Sequence, residues 1–69
     1  MTKQTMENKI NELRKEAGLM YSDLDKALAE GNYDLYEELG DIMSAKYEEA
    51  RQLIIEFNKT FGETPNLLF

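Results

Sequence analysis

Asp34, Glu37, Glu38 and Asp41 fall within eight residues at spacings of three and four, which on a helix gathers their carboxylates on neighbouring turns. Oxygen donors so placed suit Mg²⁺ or Ca²⁺; equally, they complement the positive end of a helix that starts just before them. Two further acidic pairs, Asp23 with Asp25 and Glu48 with Glu49, flank apolar positions rather than sitting in a cleft, the setting in which paired carboxylates do acid–base work. The chain has no histidine and no cysteine, which removes imidazole and thiolate chemistry from consideration and leaves Ser22 and Ser44 without a histidine to activate them. The basic residues Lys3, Lys9, Arg14 and Lys15 share a segment with Glu7 and Glu12. They read as a modest phosphate-binding patch or as a solvated face with pairs such as Glu7–Lys3 and Glu12–Lys15. No aromatic residue interleaves them for base stacking. These residues give no catalytic residue, no cofactor site and no metal site, and point to a protein that is not an enzyme.

Eight basic against 14 acidic side chains leave a net charge of −6, the wrong sign for a general nucleic-acid binder. Residues 1–31 carry five basic and six acidic side chains, residues 32–69 three (Lys46, Arg51, Lys59) and eight. No apolar run approaches the ~18 residues of a membrane span, and residues 1–8 lack the apolar stretch of a signal peptide. The expectation is a cytoplasmic protein without membrane contact.

The elements that position these side chains follow from punctuation and period. The only internal break is Glu30-Gly31-Asn32-Tyr33-Asp34. Gly31 suits the left-handed position past a helix end, and Asn32 or Asp34 can cap the next helix, Asp34 with Glu37 at capping-box spacing. Thr2 or Thr5 can cap the first helix, and Gly62 followed by Pro65 stops the second. Helices are therefore expected at about 3–30 and about 33–61, one all-α hairpin domain over 1–61 with a tail at 62–69. The first helix repeats Met6, Ile10, Leu13, Ala17, Met20, Leu24 and Ala27 in steps of four and three, a heptad stripe. The second carries Tyr36, Leu39, Met43, Tyr47, Ala50, Ile54, Phe57 and Phe61, with an extra step of four at Met43–Tyr47 that resembles a stutter.

A short connection makes the helices antiparallel neighbours. Leu19, Tyr21 and Leu28 beside the first stripe, and Leu35, Ile42, Leu53 and Ile55 beside the second, exceed what one hairpin can cover. The expectation is a homodimer that forms a four-helix bundle, with the two stripes Met6–Ala27 and Tyr36–Phe57 as its self-interface. Ala17, Gly18, Ala27, Ala45 and Ala50 would let helices approach closely. Tyr36 and Tyr47 read as core. Off-stripe Tyr21 and Tyr33 are candidate partner contacts. So are Leu67, Leu68 and Phe69, three apolar residues that either fold back to cap the bundle end or dock into a partner.

The stretches Ser22–Glu30, Tyr36–Ile42, Tyr47-Glu48 and Leu53 resemble the small Rop-like proteins encoded near nitrogen-fixation genes. The match covers about residues 10–57, with one residue inserted in the turn and Asp25 where that family carries histidine. The resemblance implies an antiparallel two-helix hairpin that assembles into dimers or tetramers. The Met1–Gln4 start and the Phe61-Gly62 helix exit are similar to the Rop family of plasmid copy-number regulators, which bind paired RNA loops through an Asn, an aromatic and a Gln on helix 1. Those places hold Ile10, Arg14 and Gly18 here, so the RNA-binding role does not transfer. The expected function is a non-enzymatic adaptor or small regulator working through protein–protein contacts. The alternatives are a Rop-type RNA-binding regulator or an acidic, phage-type inhibitor that occupies a basic nucleic-acid groove.

Overall fold

The computed structural model describes residues 2–69, so Met1 of the Rop-like start lies outside it. Two helices, α1 (Lys3–Ala29) and α2 (Tyr33–Phe61), make an all-α antiparallel hairpin, a rod of 45 × 16 × 16 Å. Thr2 caps α1, its hydroxyl accepting from the Thr5 N–H. Helix α1 stops at Ala29, one residue before its expected end, because Gly31 takes a left-handed φ of +72°. The Gly31 and Asn32 amides then close back onto the carbonyls of Leu28 and Ala27, which satisfies two groups the helix end would otherwise leave open. Asn32, not Asp34, caps α2: its side-chain oxygen accepts from the Leu35 N–H. Asp34 instead contributes charge to the first turn. Gly62, at φ +68°, ends α2 with its amide bonded to the Asn58 carbonyl.

The heptad stripe of α1 forms the seam. Met6, Ile10, Leu13, Ala17, Leu24 and Ala27 are buried against α2, which contributes Ala50 and Phe57. Met6, Ile10 and Phe57 form the central cluster, with Leu53, Ile54 and Phe61 packed around it. The Phe57 and Phe61 rings lie 4.8 Å apart at 55°, a tilted pairing that suits their quadrupoles. At the stutter the contact passes through Lys46, half-buried, whose ammonium lies 2.9 Å from Glu16 across the seam.

Beyond Gly62 the chain reverses. Residues 63–69 do not cap the end of the rod. They run extended along the flank of α1, from Lys3 up to Lys15.

Candidate interaction surfaces

The two ends of the rod differ in what they finish. At the end where α1 starts and α2 stops, the tail adds a third strip of chain. The Lys3 ammonium pairs with Glu63. Pro65 is buried. Asn11, 8% exposed, is the one buried polar side chain among the described residues. Its amide nitrogen donates to the Asn66 carbonyl at 2.9 Å, and its amide oxygen accepts from the Leu68 N–H at 2.9 Å. One turn further on, the Arg14 guanidinium donates to the Phe69 carbonyl oxygen, and the Lys15 ammonium stands 5.6 Å from the centre of the Phe69 ring, within cation–π range. The glutamate beside Lys3 holds that ammonium's pKa above the ordinary lysine value.

Three of the five basic residues of α1, Lys3, Arg14 and Lys15, therefore serve the tail. Lys3 pairs with Glu63 rather than with Glu7, which acts only as a more distant charge. Glu16 pairs with Lys46, which holds its carboxyl below the usual carboxylate range. On the outer face Glu48 is similarly lowered, by Arg51 first and by Gln52 second.

The turn end is open. No residue between Ala27 and Ala50 is buried. Tyr21, Leu28, Leu35, Tyr36 and Ile42 stand out as large exposed apolar residues. Leu39, Met43 and Tyr47 are half-covered. Burial raises the Tyr47 phenol, with the Tyr21 hydroxyl nearby adding to the effect. On one flank an open groove of about 370 Å³ has Ala27, Leu35 and Leu39 as its floor and Asp23, Lys26 and Glu30 at its rim. The charge follows the same division. Residues 19–44 carry seven acidic side chains and one basic, a net −6, while the rest of the chain carries seven of each. The whole net charge of the molecule lies at the turn end.

The residues of the expected self-interface separate accordingly. Met6, Ile10, Leu13, Ala17, Leu24, Ala27, Ala50 and Phe57 are consumed inside the hairpin; Met20, Leu39, Met43, Tyr47 and Ile54 are half-buried. Tyr36, expected in the core, is 40% exposed: the buried residues of α1 at the turn end are Leu24 and Ala27 alone, and the first turns of α2 keep no buried side chain. Tyr21, Tyr33, Leu67, Leu68 and Phe69 are exposed. Gly18 is not a close-packing point: a Cβ there would meet nothing within 4 Å. It follows Ala17 by one residue, roughly 100° around the helix from the seam. Asp34, Glu37, Glu38 and Asp41 stay on the exposed face, and among the described residues no three carboxylates converge to hold a metal ion. No described helix is long and apolar enough to cross a membrane.

Sequence reasoning missed Asn11 and the buried Pro65. The partners of Asn11 lie 55 and 57 residues away along the chain, and no periodic pattern announces a pairing of that kind.

No family model, no curated protein and no solved structure matches this chain.

Proposed function

We propose that the protein is a non-enzymatic adaptor whose open turn end is a protein–protein contact face, and that its first partner is a second hairpin, giving a four-helix bundle homodimer. The observation that carries this reading is the unbroken lack of burial from Leu28 to Glu49. Over that stretch Leu35, Tyr36 and Ile42 stay 38–44% exposed beside a groove with an apolar floor. Clustered apolar surface of this kind, rimmed by carboxylates, marks contact sites on small proteins. A chain below about 70–80 residues also gains from a partner, since its own core supplies little.

Light scattering after size exclusion at micromolar concentration tests it. The expected mass is twice 8.0 kDa. Ile42→Asp is expected to return the chain to a monomer while helicity persists, and Ile55→Asp, on the outer face of the other end, is expected to leave the dimer intact. A wild-type monomer, or a dimer indifferent to Ile42→Asp, sinks the reading.

A second reading follows from the charge division. An end that holds the full −6 over a few helical turns suits a strongly basic groove, so an inhibitor of a nucleic-acid-binding protein is the alternative. Salt-sensitive binding of a basic domain that competes with that domain's DNA or RNA would favour it. The Rop-type RNA reading has less support, because Lys3, Arg14 and Lys15 are all engaged by the tail.

A further inference from the structure

We infer that the Asn11–Arg14 face of α1 is a binding site for an extended peptide, which the chain's own tail occupies in cis. The argument starts from Asn11. A buried amide left unpaired is costly, yet Asn11 satisfies neither polar atom within the hairpin. Both go to the main chain of the tail, to the carbonyl of Asn66 and the N–H of Leu68. This two-point contact, to residues i and i+2, is how an extended backbone is read without regard to its side chains. Arg14 repeats it one turn on, donating to the Phe69 carbonyl oxygen rather than to a side chain.

Side-chain recognition is confined to three places. Pro65 is buried, Glu63 meets Lys3, and the Phe69 ring lies near the Lys15 ammonium. Leu67 and Leu68 are 40% and 66% exposed. The occupant seated on the face defines the ligand class. It is an extended segment of a partner protein with an acidic residue two before a proline and an aromatic residue four after it. The spacing residues are free to vary apart from needing an N–H at the Leu68 position, which excludes proline there. The tail is then a resident competitor. A tether this short gives it an effective concentration in the millimolar range, so a partner must exceed that or arrive with a second contact.

The test uses the full chain, ¹⁵N-labelled, titrated with an unlabelled synthetic peptide of the sequence Glu63–Phe69. Millimolar peptide is expected to displace the tail, so the Leu68 amide of the chain loses its protection from hydrogen exchange while helicity is unchanged. Leu68→Pro removes the donor to Asn11 and weakens the competitor. Its chain is expected to bind the peptide about tenfold more tightly. Adding Asn11→Ala to the Leu68→Pro chain, whose weakened tail no longer fills the site, is expected to weaken peptide binding by a similar factor or more, with helicity confirmed by circular dichroism. The inference is overturned by a Leu68 amide unmoved at millimolar peptide, or by peptide binding to the Leu68→Pro chain that is indifferent to Asn11→Ala. It is also overturned by Leu68 exchange that depends on chain concentration without peptide, which would make the occupant a second copy's tail.

Discussion

The tail end and the turn end of the rod are built from the same two helices at the same heptad spacing, yet one is closed and the other is not. The closed end stacks Met6, Ile10 and Phe57 and then adds a third strip of chain, with Pro65 buried and Asn11 tying the backbone down. The turn end rests on two buried residues of α1, Leu24 and Ala27, with no buried partner on α2 before Ala50. Two helices alone shield only the line between them; a third element is needed to bury a flank. The tail supplies it at one end, and at the other end the place stands open. Stability is thereby concentrated where the tail lies, and surface for contact where it does not.

The sharpest way to break that comparison is at the two centres of packing. Phe57→Ala empties a fully buried site and is expected to cost about 3–5 kcal/mol, enough to abolish the cooperative melt of so small a chain. Leu35→Ala, 38% exposed at the turn end, is expected to stay within about 0.5 kcal/mol of the wild type in dilute monomer. Equal losses in thermal melts of the two variants would show that the ends are equally packed. Next in size, Asn11→Ala deprives the Asn66 carbonyl and Leu68 N–H of their partner. About 1–3 kcal/mol should be lost, with faster amide exchange confined to residues 63–69; exchange that also rises at the turn end would contradict the division. Gly18→Ala is expected to stabilise by about 1 kcal/mol, since the added methyl meets nothing within 4 Å and removes a helix-interior glycine; a lowered melting temperature would reveal a neighbour there.

The smallest expected effect is a pH dependence at the boundary between the ends. Lys46 holds the Glu16 carboxyl below its unfolded value. The contact therefore stabilises the fold above the ordinary carboxylate pKa and is lost as pH falls through the lowered one. Lys46→Met is expected to flatten the acid limb of stability against pH; an unchanged acid limb would assign it to other carboxylates.

Much of the helical framework was legible in the sequence. The Gly31 and Gly62 stops, the Thr2 and Asn32 caps and the alternating steps of three and four are local signals, and local signals fix where helices begin, end and face. Along α1 the stripe marks the face turned to α2: six of its seven residues are buried and Met20 is half-buried. The stripe of α2 read well only from Ala50 onward. Tyr36 fits the same period yet stays 40% exposed, and period carries no information about what stands across a seam. Gly18 misled because small residues mark both close contacts and empty surface. The clasp was illegible for another reason: Asn11, Asn66 and Leu68 recognise one another through an amide and two backbone groups, which any residue pair in the sequence could have supplied. As for the sites, exposed Tyr21, Tyr33, Leu67, Leu68 and Phe69 were identifiable as surface candidates, whereas the division into a neutral and an acidic end emerges only when the hairpin folds residues 2–18 back against 45–69.

That division gives the molecule an electrical direction. A rod 45 Å long with its entire net charge in one half has a permanent dipole along its axis. Near a positively charged body, within the roughly 8–10 Å that physiological salt allows, it experiences a torque before it touches anything. It arrives turn first, with Leu35, Tyr36 and Ile42 leading and the clasped tail trailing on the far side. Diffusive encounters with a basic surface are therefore sorted by orientation in advance, and the collision that follows is made by the end with apolar surface to spare.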